Sequence, residues 1–79
     1  MENKNAKLRR DILKSLYLAR EQNPSFGELT MHELKQAHGT DDAVDFALGV
    51  LAEIGYIKYS GFCARITGMG VIAVDKGAV

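Results

Sequence analysis

Few side chains in this sequence have the type and spacing that chemistry requires. The single cysteine, Cys63, lies two residues from Arg65, a cation that favours a thiolate, but no histidine is near it in sequence to act as a base. His32 and His38 are six residues apart, whereas a helical metal pair is spaced by four. We therefore expect Cys63 to be a half-buried strand residue and both histidines to lie on the surface. No enzyme activity, metal or cofactor is predicted.

The remaining acidic and glycine-rich stretches also lack the pattern of a known site. Asp41, Asp42 and Asp45 lack the glycine and the distal glutamate of a calcium loop. They fit the first turn of a helix better, where unpaired backbone amides favour negative charge. The eight glycines show no phosphate-loop spacing. The chemistry therefore indicates a binding protein rather than a catalyst.

Length and cysteine content limit the chain to one small domain, expected over residues 1–79. One cysteine cannot form an internal disulfide, so packed apolar side chains must stabilise the fold. A core this thin favours a second subunit, and we expect a homodimer. No apolar stretch is long enough for a membrane span or for the core of a signal peptide, which predicts a cytoplasmic protein without membrane contact.

The net charge of zero conceals an uneven distribution along the chain. Residues 1–20 contain six basic and two acidic side chains, whereas residues 21–79 contain four basic and eight acidic ones. Such a split affects the choice of partners rather than the fold. One end of the chain favours an anionic partner, and the rest favours a basic one.

Apolar spacing and capping residues predict three helices. The first covers residues 7 to about 21, where apolar residues recur at steps of three and four before a proline stops the helix. The second covers 31–38, preceded by a capping box that begins at Thr30. The third covers 41–54 and ends at Gly55. A short glycine-containing turn joins the second helix to the third, which makes a helix-turn-helix unit.

Short β-prone segments flank these helices, so the predicted class is α+β. Residues 56–59 and 63–66 are separated by a turn and predict a hairpin, and residues 26–29 predict a very short extended segment. Thr67 can cap a last short helix. Residues 71–74 could equally form a strand, so both alternatives stay open at the C-terminal end.

The order of elements resembles that of the winged helix-turn-helix superfamily. Three passages are similar to it, namely 34–40 (LKQAHGT), 48–57 (LGVLAEIGYI) and 64–70 (ARITGMG). The last resembles the passage that leaves the wing in MarR-like and PadR-like regulators. The resemblance implies three helices, a two-stranded β-hairpin wing and a short C-terminal helix or strand. It also implies a regulator of transcription that binds double-stranded DNA, with the third helix in the major groove and the wing on the backbone.

Basic side chains of the hairpin and of the first two helices are the candidates for nucleic-acid contact. They are Lys35, Lys58, Arg65, Arg10 and Lys14. The third helix supplies none, because its outward arc holds carboxylates and lacks Lys, Arg, Asn and Gln. The other arc, of roughly 200°, is predicted to be core. It comprises Ala43, Val44, Phe46, Ala47, Leu48, Val50, Leu51 and Ile54.

The acidic arc supports an alternative function, a protein interaction domain that does not bind DNA. A basic protein would then contact the third helix through Asp41, Asp45 and Glu53. Leu18, on the polar side of the first helix, and its neighbour Tyr17 are candidates for a subunit contact. The two functions are about equally supported by these residues.

Overall fold

The computed structural model describes residues 3–79, which form four helices and three strands. In chain order they are α1 (Lys4–Gln22), β1 (Glu28–Thr30), α2 (Met31–His38), α3 (Asp41–Ile54), β2 (Ile57–Ser60), β3 (Cys63–Ile66) and α4 (Gly68–Asp75). The structure is small and α+β, and α2 and α3 have their predicted bounds. None of the helices within residues 3–79 has the length and apolar character that a membrane crossing requires.

The segment after β3 forms a helix, so residues 3–79 contain four helices. The sequence predicted three helices and left open whether this segment is a short helix or a strand. Thr67 begins α4 by accepting a hydrogen bond from the Gly70 amide, at 3.2 Å. Its hydroxyl also donates to the carbonyl oxygen of Gly55, at 2.6 Å. These two bonds fix the start of α4 against the end of α3.

The sheet has three strands in the order β1-β3-β2, which corrects the prediction of a two-stranded hairpin. β2 and β3 form the expected hairpin, with Ile57 paired to Ile66 and Ser60 to Cys63. β1 then pairs antiparallel with the other side of β3. With three residues, β1 is too short to show a strand period in sequence, so its pairing could not be predicted.

The core is one cluster of buried apolar side chains between α1, α2, α3 and the sheet. Its members are Ile12, Leu13, Leu16, Leu34, Val44, Ala47, Leu48, Leu51, Ile57, Ala64 and Ile66. On α3 the buried stripe is narrower than predicted, since Phe46 is 53% and Ile54 is 48% exposed. α3 packs on the core through residues spaced by three and four, and no further element covers its flanks.

Two glycines allow backbone segments to pass closer than a side chain would permit. A Cβ at Gly70 would lie 2.6 Å from Cγ1 of Ile66, so α4 can rest against the sheet only without one. A Cβ at Gly27 would lie 2.6 Å from the carbonyl oxygen of Ala19. The segment before β1 is thereby held against the last turns of α1.

Candidate functional site

Two cations stand side by side on the outer face of the sheet. Lys58 on β2 and Arg65 on β3 are partners in the strand register, and such partners project from the same face. Their neighbours Ile57, Ala64 and Ile66 are buried. Because side chains alternate along a strand, Lys58 and Arg65 lie on the face that turns away from the core. We call this face the outer sheet face.

A third cation reaches this region from the C-terminal part of α1. Nη1 of Arg20 donates a hydrogen bond to the carbonyl oxygen of Ile66, at 3.3 Å. Arg20, Lys58 and Arg65 together line a cleft of about 410 Å³, which we call the cationic cleft. The other lining residues are Ile66, Thr67 and Gly68, so no carboxylate lines the cleft.

The contribution of Arg20 was not predicted from the sequence. It lies 46 residues from its partner Ile66, a separation over which periodicity carries no information. Its position depends on Gly27, whose missing side chain lets the chain pass close to α1. The available signal was the glycine at position 27, next to the short extended segment, because a glycine at a strand often marks a close backbone approach.

The carboxylate nearest to Arg65 in the register belongs to Glu28 on β1, and it interacts with Cys63. Burial raises the pKa of the Cys63 thiol, and the charge of Glu28 and a hydrogen bond to its carboxylate raise it further. A raised pKa keeps the thiol protonated at neutral pH, which opposes a nucleophilic role. Neither Lys58 nor Arg65 forms an ion pair with another of residues 3–79.

The outward surface of α3 carries the acidic candidates, and we call it the acidic surface. Asp41, Asp45 and Glu53 are exposed there, and the exposed Phe46 adds an aromatic ring. Nζ of Lys35 lies 3.4 Å from Oδ1 of Asp45. One candidate for DNA contact is therefore paired with one candidate for protein contact.

Aromatic side chains continue the acidic surface towards the hairpin. Burial raises the pKa of Tyr59, and the charge of Asp45 raises it further. At the hairpin turn, Phe62 is 88% exposed, while its carbonyl oxygen accepts a hydrogen bond from the Met31 amide at 2.9 Å. This bond ties the tip of the hairpin to the start of α2.

The two basic candidates on α1 lie elsewhere. Arg10 and Lys14 line a separate cleft of about 390 Å³, which they share with Val74, Gly77 and Val79 at the C-terminal end. The structure therefore divides the five predicted cations among three places. Only Lys58 and Arg65 are brought together at the outer sheet face.

The two candidates for subunit contact, Tyr17 and Leu18, differ in whether the side chain bonds within the chain. Oη of Tyr17 donates a hydrogen bond to Oδ1 of Asp75, at 2.7 Å, and this bond is the largest cause of a raised pKa of Tyr17. Tyr17 thus links α1 to α4 within one molecule. Leu18 is 56% exposed, so its side chain stays available for contact with another molecule.

The histidines do not form a metal site with other described residues. His32 is exposed as predicted, but His38 is half-buried, which corrects the prediction of a surface position. Its Nε2 lies 2.9 Å from the hydroxyl of Ser15, because α2 packs against α1 at this point. Within residues 3–79, no three His, Cys, Asp or Glu side chains come together in a way that could hold a metal ion.

The exposed charges thus form two groups, both turned away from the core. The acidic surface follows α3, whereas the cations gather on the outer sheet face. Comparison with known protein families, curated proteins and solved structures gives no match for this chain. Function is therefore inferred from these side chains and their positions.

Proposed function

We propose that this chain is a winged helix-turn-helix domain that acts as a binding module rather than as an enzyme. The element order α1-β1-α2-α3-β2-β3 supports this assignment, as does the short connection between α2 and α3. The β2–β3 hairpin corresponds to the wing. β1 completes the sheet on the other side of β3, and α4 is added after the wing.

The partner that we propose is double-stranded DNA, contacted through the outer sheet face, as in a regulator of transcription. The observation that carries this proposal is the convergence of Lys58 and Arg65 with Arg20 in a cleft without carboxylates. Neutralisation of backbone phosphates by such cations supplies most of the sequence-independent affinity for DNA. The outer sheet face is the part of the sheet that can supply it here.

In this docking α3 is not the helix that reads bases. Its exposed carboxylates repel phosphates, and Lys35 beside it is already paired with Asp45. Contacts through the outer sheet face go to phosphates and carry no sequence information. We therefore expect DNA binding that depends steeply on salt and weakly on sequence.

The salt dependence of binding to a random duplex tests the proposal. With three phosphate contacts, a plot of log K against log salt has an expected slope between about −2 and −3. Arg65→Gln removes one contact and reduces the magnitude of the slope by about 1. Fluorescence anisotropy of a labelled duplex, at salt concentrations between about 20 and 200 mM, measures the slopes of the unmodified chain and of the variant.

Two matched variants serve as controls for the docking side. Lys14→Gln removes one exposed cation from α1 and is expected to keep the slope of the unmodified chain. Glu53→Gln removes a charge from the acidic surface and is expected to leave the slope unchanged as well. No detectable binding at low salt, or an equal loss with Lys14→Gln and Arg65→Gln, contradicts the proposal.

A second candidate function is favoured by the exposed Phe46 on the acidic surface. The Phe46 side chain is 53% exposed, and the carboxylates of Asp42 and Asp45 lie beside it in the helix. It therefore offers an apolar anchor next to negative charge. A basic protein segment with one apolar residue complements that surface. In this case the domain would bind a protein through α3 without binding DNA.

A pull-down with a variant whose acidic surface is neutralised distinguishes the two functions. Asp41→Asn, Asp45→Asn and Glu53→Gln combined keep the size of the side chains but remove three charges from α3. A partner of the acidic surface is captured by the unmodified chain and lost with this variant. If capture is unchanged, the acidic surface is not the contact surface.

A further inference from the structure

The cationic cleft holds three positive groups that have no negative partner. Lys58 and Arg65 are direct cross-strand partners, and like charges in this position destabilise a sheet. Arg20 adds a third charge at the same cleft. An arrangement of this kind is stabilised when an anion occupies the cleft.

The nearby carboxylates do not supply that anion. Glu28 is paired with Arg65 in the register and shares the outer sheet face, but it forms no ion pair with Arg65 and does not line the cleft. Arg20 donates a hydrogen bond to a backbone carbonyl oxygen, which carries no full charge to balance the guanidinium. Within residues 3–79, no carboxylate forms an ion pair with these three cations, so the cleft is open to an anion from another molecule.

The geometry points to a phosphate group as that anion, and we propose that the cationic cleft is a site for one phosphate group. The guanidinium of Arg20 is fixed in place by the Ile66 carbonyl oxygen, so little freedom is lost when it binds. A guanidinium fork matches the oxygen spacing of a phosphate, and Arg65 offers a second one. Lys58 adds a point charge.

The backbone beside the cleft is arranged to donate as well. Gly68 lines the cleft and is the first residue of α4, so its amide has no partner within the helix. The Thr67 hydroxyl is not available as a donor, because it already donates to the Gly55 carbonyl oxygen. We thus assign the contacts to the three cations and the Gly68 amide.

The source of the phosphate rests on the function proposed above, in which it belongs to the DNA backbone. The same chemistry would accept the phosphate of a small free molecule, since the site recognises one tetrahedral group and its charge. The cleft volume of about 410 Å³ is open to both. The two sources are separated by using pyrophosphate and duplex DNA as probes of the same variants.

A titration with pyrophosphate followed by NMR tests the site directly. The amide signal of Gly68 is expected to shift and saturate, and Arg20→Gln is expected to weaken the apparent affinity at least tenfold. Arg20→Lys keeps the charge but loses the guanidinium fork. Its affinity for pyrophosphate should lie between those of the unmodified chain and Arg20→Gln. Lys14→Gln, with the same change in net charge on α1, should bind as the unmodified chain does.

Arg20 also forms a hydrogen bond within the chain, so its substitution could change the fold as well as the site. A second variant therefore changes a cation that has no such bond with another described residue. Lys58→Gln removes a cation that forms no ion pair within residues 3–79, and it too should weaken pyrophosphate binding. Thermal unfolding of each variant shows that the fold persists. Equal affinity of all variants for pyrophosphate, or no shift of Gly68, overturns the phosphate site.

Duplex DNA then identifies the source. If pyrophosphate and DNA compete for the cleft and both are weakened by Arg20→Gln, the site stands and the phosphate belongs to DNA. If pyrophosphate binds and DNA does not, the site stands while the proposed function fails. If DNA binds equally to the unmodified chain and to Arg20→Gln, and pyrophosphate does not shift Gly68, the site is wrong and DNA binding needs another surface.

Discussion

Three threonines begin the last three helices, but they are not equivalent. Thr30, Thr40 and Thr67 each accept a hydrogen bond from a backbone amide of the first turn. Thr67 alone among them also donates to a carbonyl oxygen of an earlier helix end, that of Gly55. Its removal leaves one donor and one acceptor unpaired in a part-buried place, whereas removal of Thr40 exposes one amide to water.

The difference predicts unequal losses of stability. Thr67→Ala is expected to lower the free energy of unfolding by about 2 kcal/mol, and Thr40→Ala by about 1 kcal/mol or less. Urea unfolding monitored by circular dichroism measures both. Thr67→Ser retains the hydroxyl and should recover most of the loss. Equal effects of the two alanine variants would mean that the bond to Gly55 contributes nothing.

The capping box at α2 predicts a dependence of stability on pH. A hydrogen bond from the Thr30 amide lowers the pKa of Glu33, and a bond with the Thr30 side chain lowers it further. The pKa of the folded state is therefore below that of the unfolded chain. This contribution is present above the unfolded pKa and is lost as pH falls through the folded one.

Glu33→Gln is expected to flatten the decline of stability below about pH 4, since an amide does not titrate there. Free energies of unfolding measured at about pH 7, 5, 4 and 3 give the dependence of stability on pH, across the range in which glutamate titrates. Glu53→Gln serves as the control, because it removes an exposed carboxylate that caps no helix. Parallel curves for Glu33→Gln and the unmodified chain contradict the prediction.

At the scale of elements, α3 is more loosely constrained than its apolar content indicates. It buries Val44, Ala47, Leu48 and Leu51 but leaves Gly49 in its middle, where a Cβ would meet nothing within 4 Å. A glycine inside a helix costs stability because the unfolded chain is more flexible there. Nothing in the packing of the chain requires glycine at this position.

Gly49→Ala is therefore expected to raise the free energy of unfolding by about 1 kcal/mol. If DNA is contacted through the outer sheet face, the same variant should bind DNA as before, because α3 lies elsewhere. Thermal unfolding and duplex anisotropy are the two measurements. A loss of DNA binding without a loss of stability would place α3 in the interface.

Local signals in the sequence were sufficient for the bounds of α2 and α3, but not for the start of α1, for the choice of a helix at α4 or for the assembly of the elements. The capping box at Thr30 and the stop at Gly55 fixed the bounds of α2 and α3, because these signals act over four residues or fewer. The pairing of β1 with β3 and the exposure of Phe46 depend on which elements cover one another. Such information lies in contacts between distant segments.

The candidate site was predictable only in part for the same reason. Lys58 and Arg65 were identified as the cations of the predicted hairpin, whereas their direct pairing depends on the strand register, which was not predicted. Arg20 was missed because its contact requires α1 to pass the start of β1. The pairing of Lys35 with Asp45 was missed as well, since it depends on how α2 crosses α3.

At the scale of the whole molecule, apolar side chains remain exposed on α4. Met69 is 60% and Ile72 is 54% exposed, in a helix whose other apolar residues face the chain's own core. The predicted homodimer was based on the thin core and on Leu18 and Tyr17, of which Tyr17 is hydrogen-bonded within the chain to Asp75. We propose that the homodimer uses α4 together with Leu18.

Sedimentation at about 100 µM is expected to give the mass of a dimer, because a small domain gains core area by association. Ile72→Asp should give a monomer that is still folded. Phe26→Asp changes a more exposed apolar residue outside α4 and should leave the dimer intact. A monomeric mass of the unmodified chain at this concentration argues against the homodimer.

The sheet order also determines when the molecule can fold. The central strand, β3, is the last of the three in the chain, and β1 must wait for a partner whose residues follow it by more than thirty positions. During synthesis, α1, β1, α2 and α3 leave the ribosome before the strand that closes their core exists. Closing a loop of this length costs entropy before any contact offsets it. Folding is therefore expected to begin only after β3 has been synthesised, and a chain truncated before β3 should be degraded rather than accumulate.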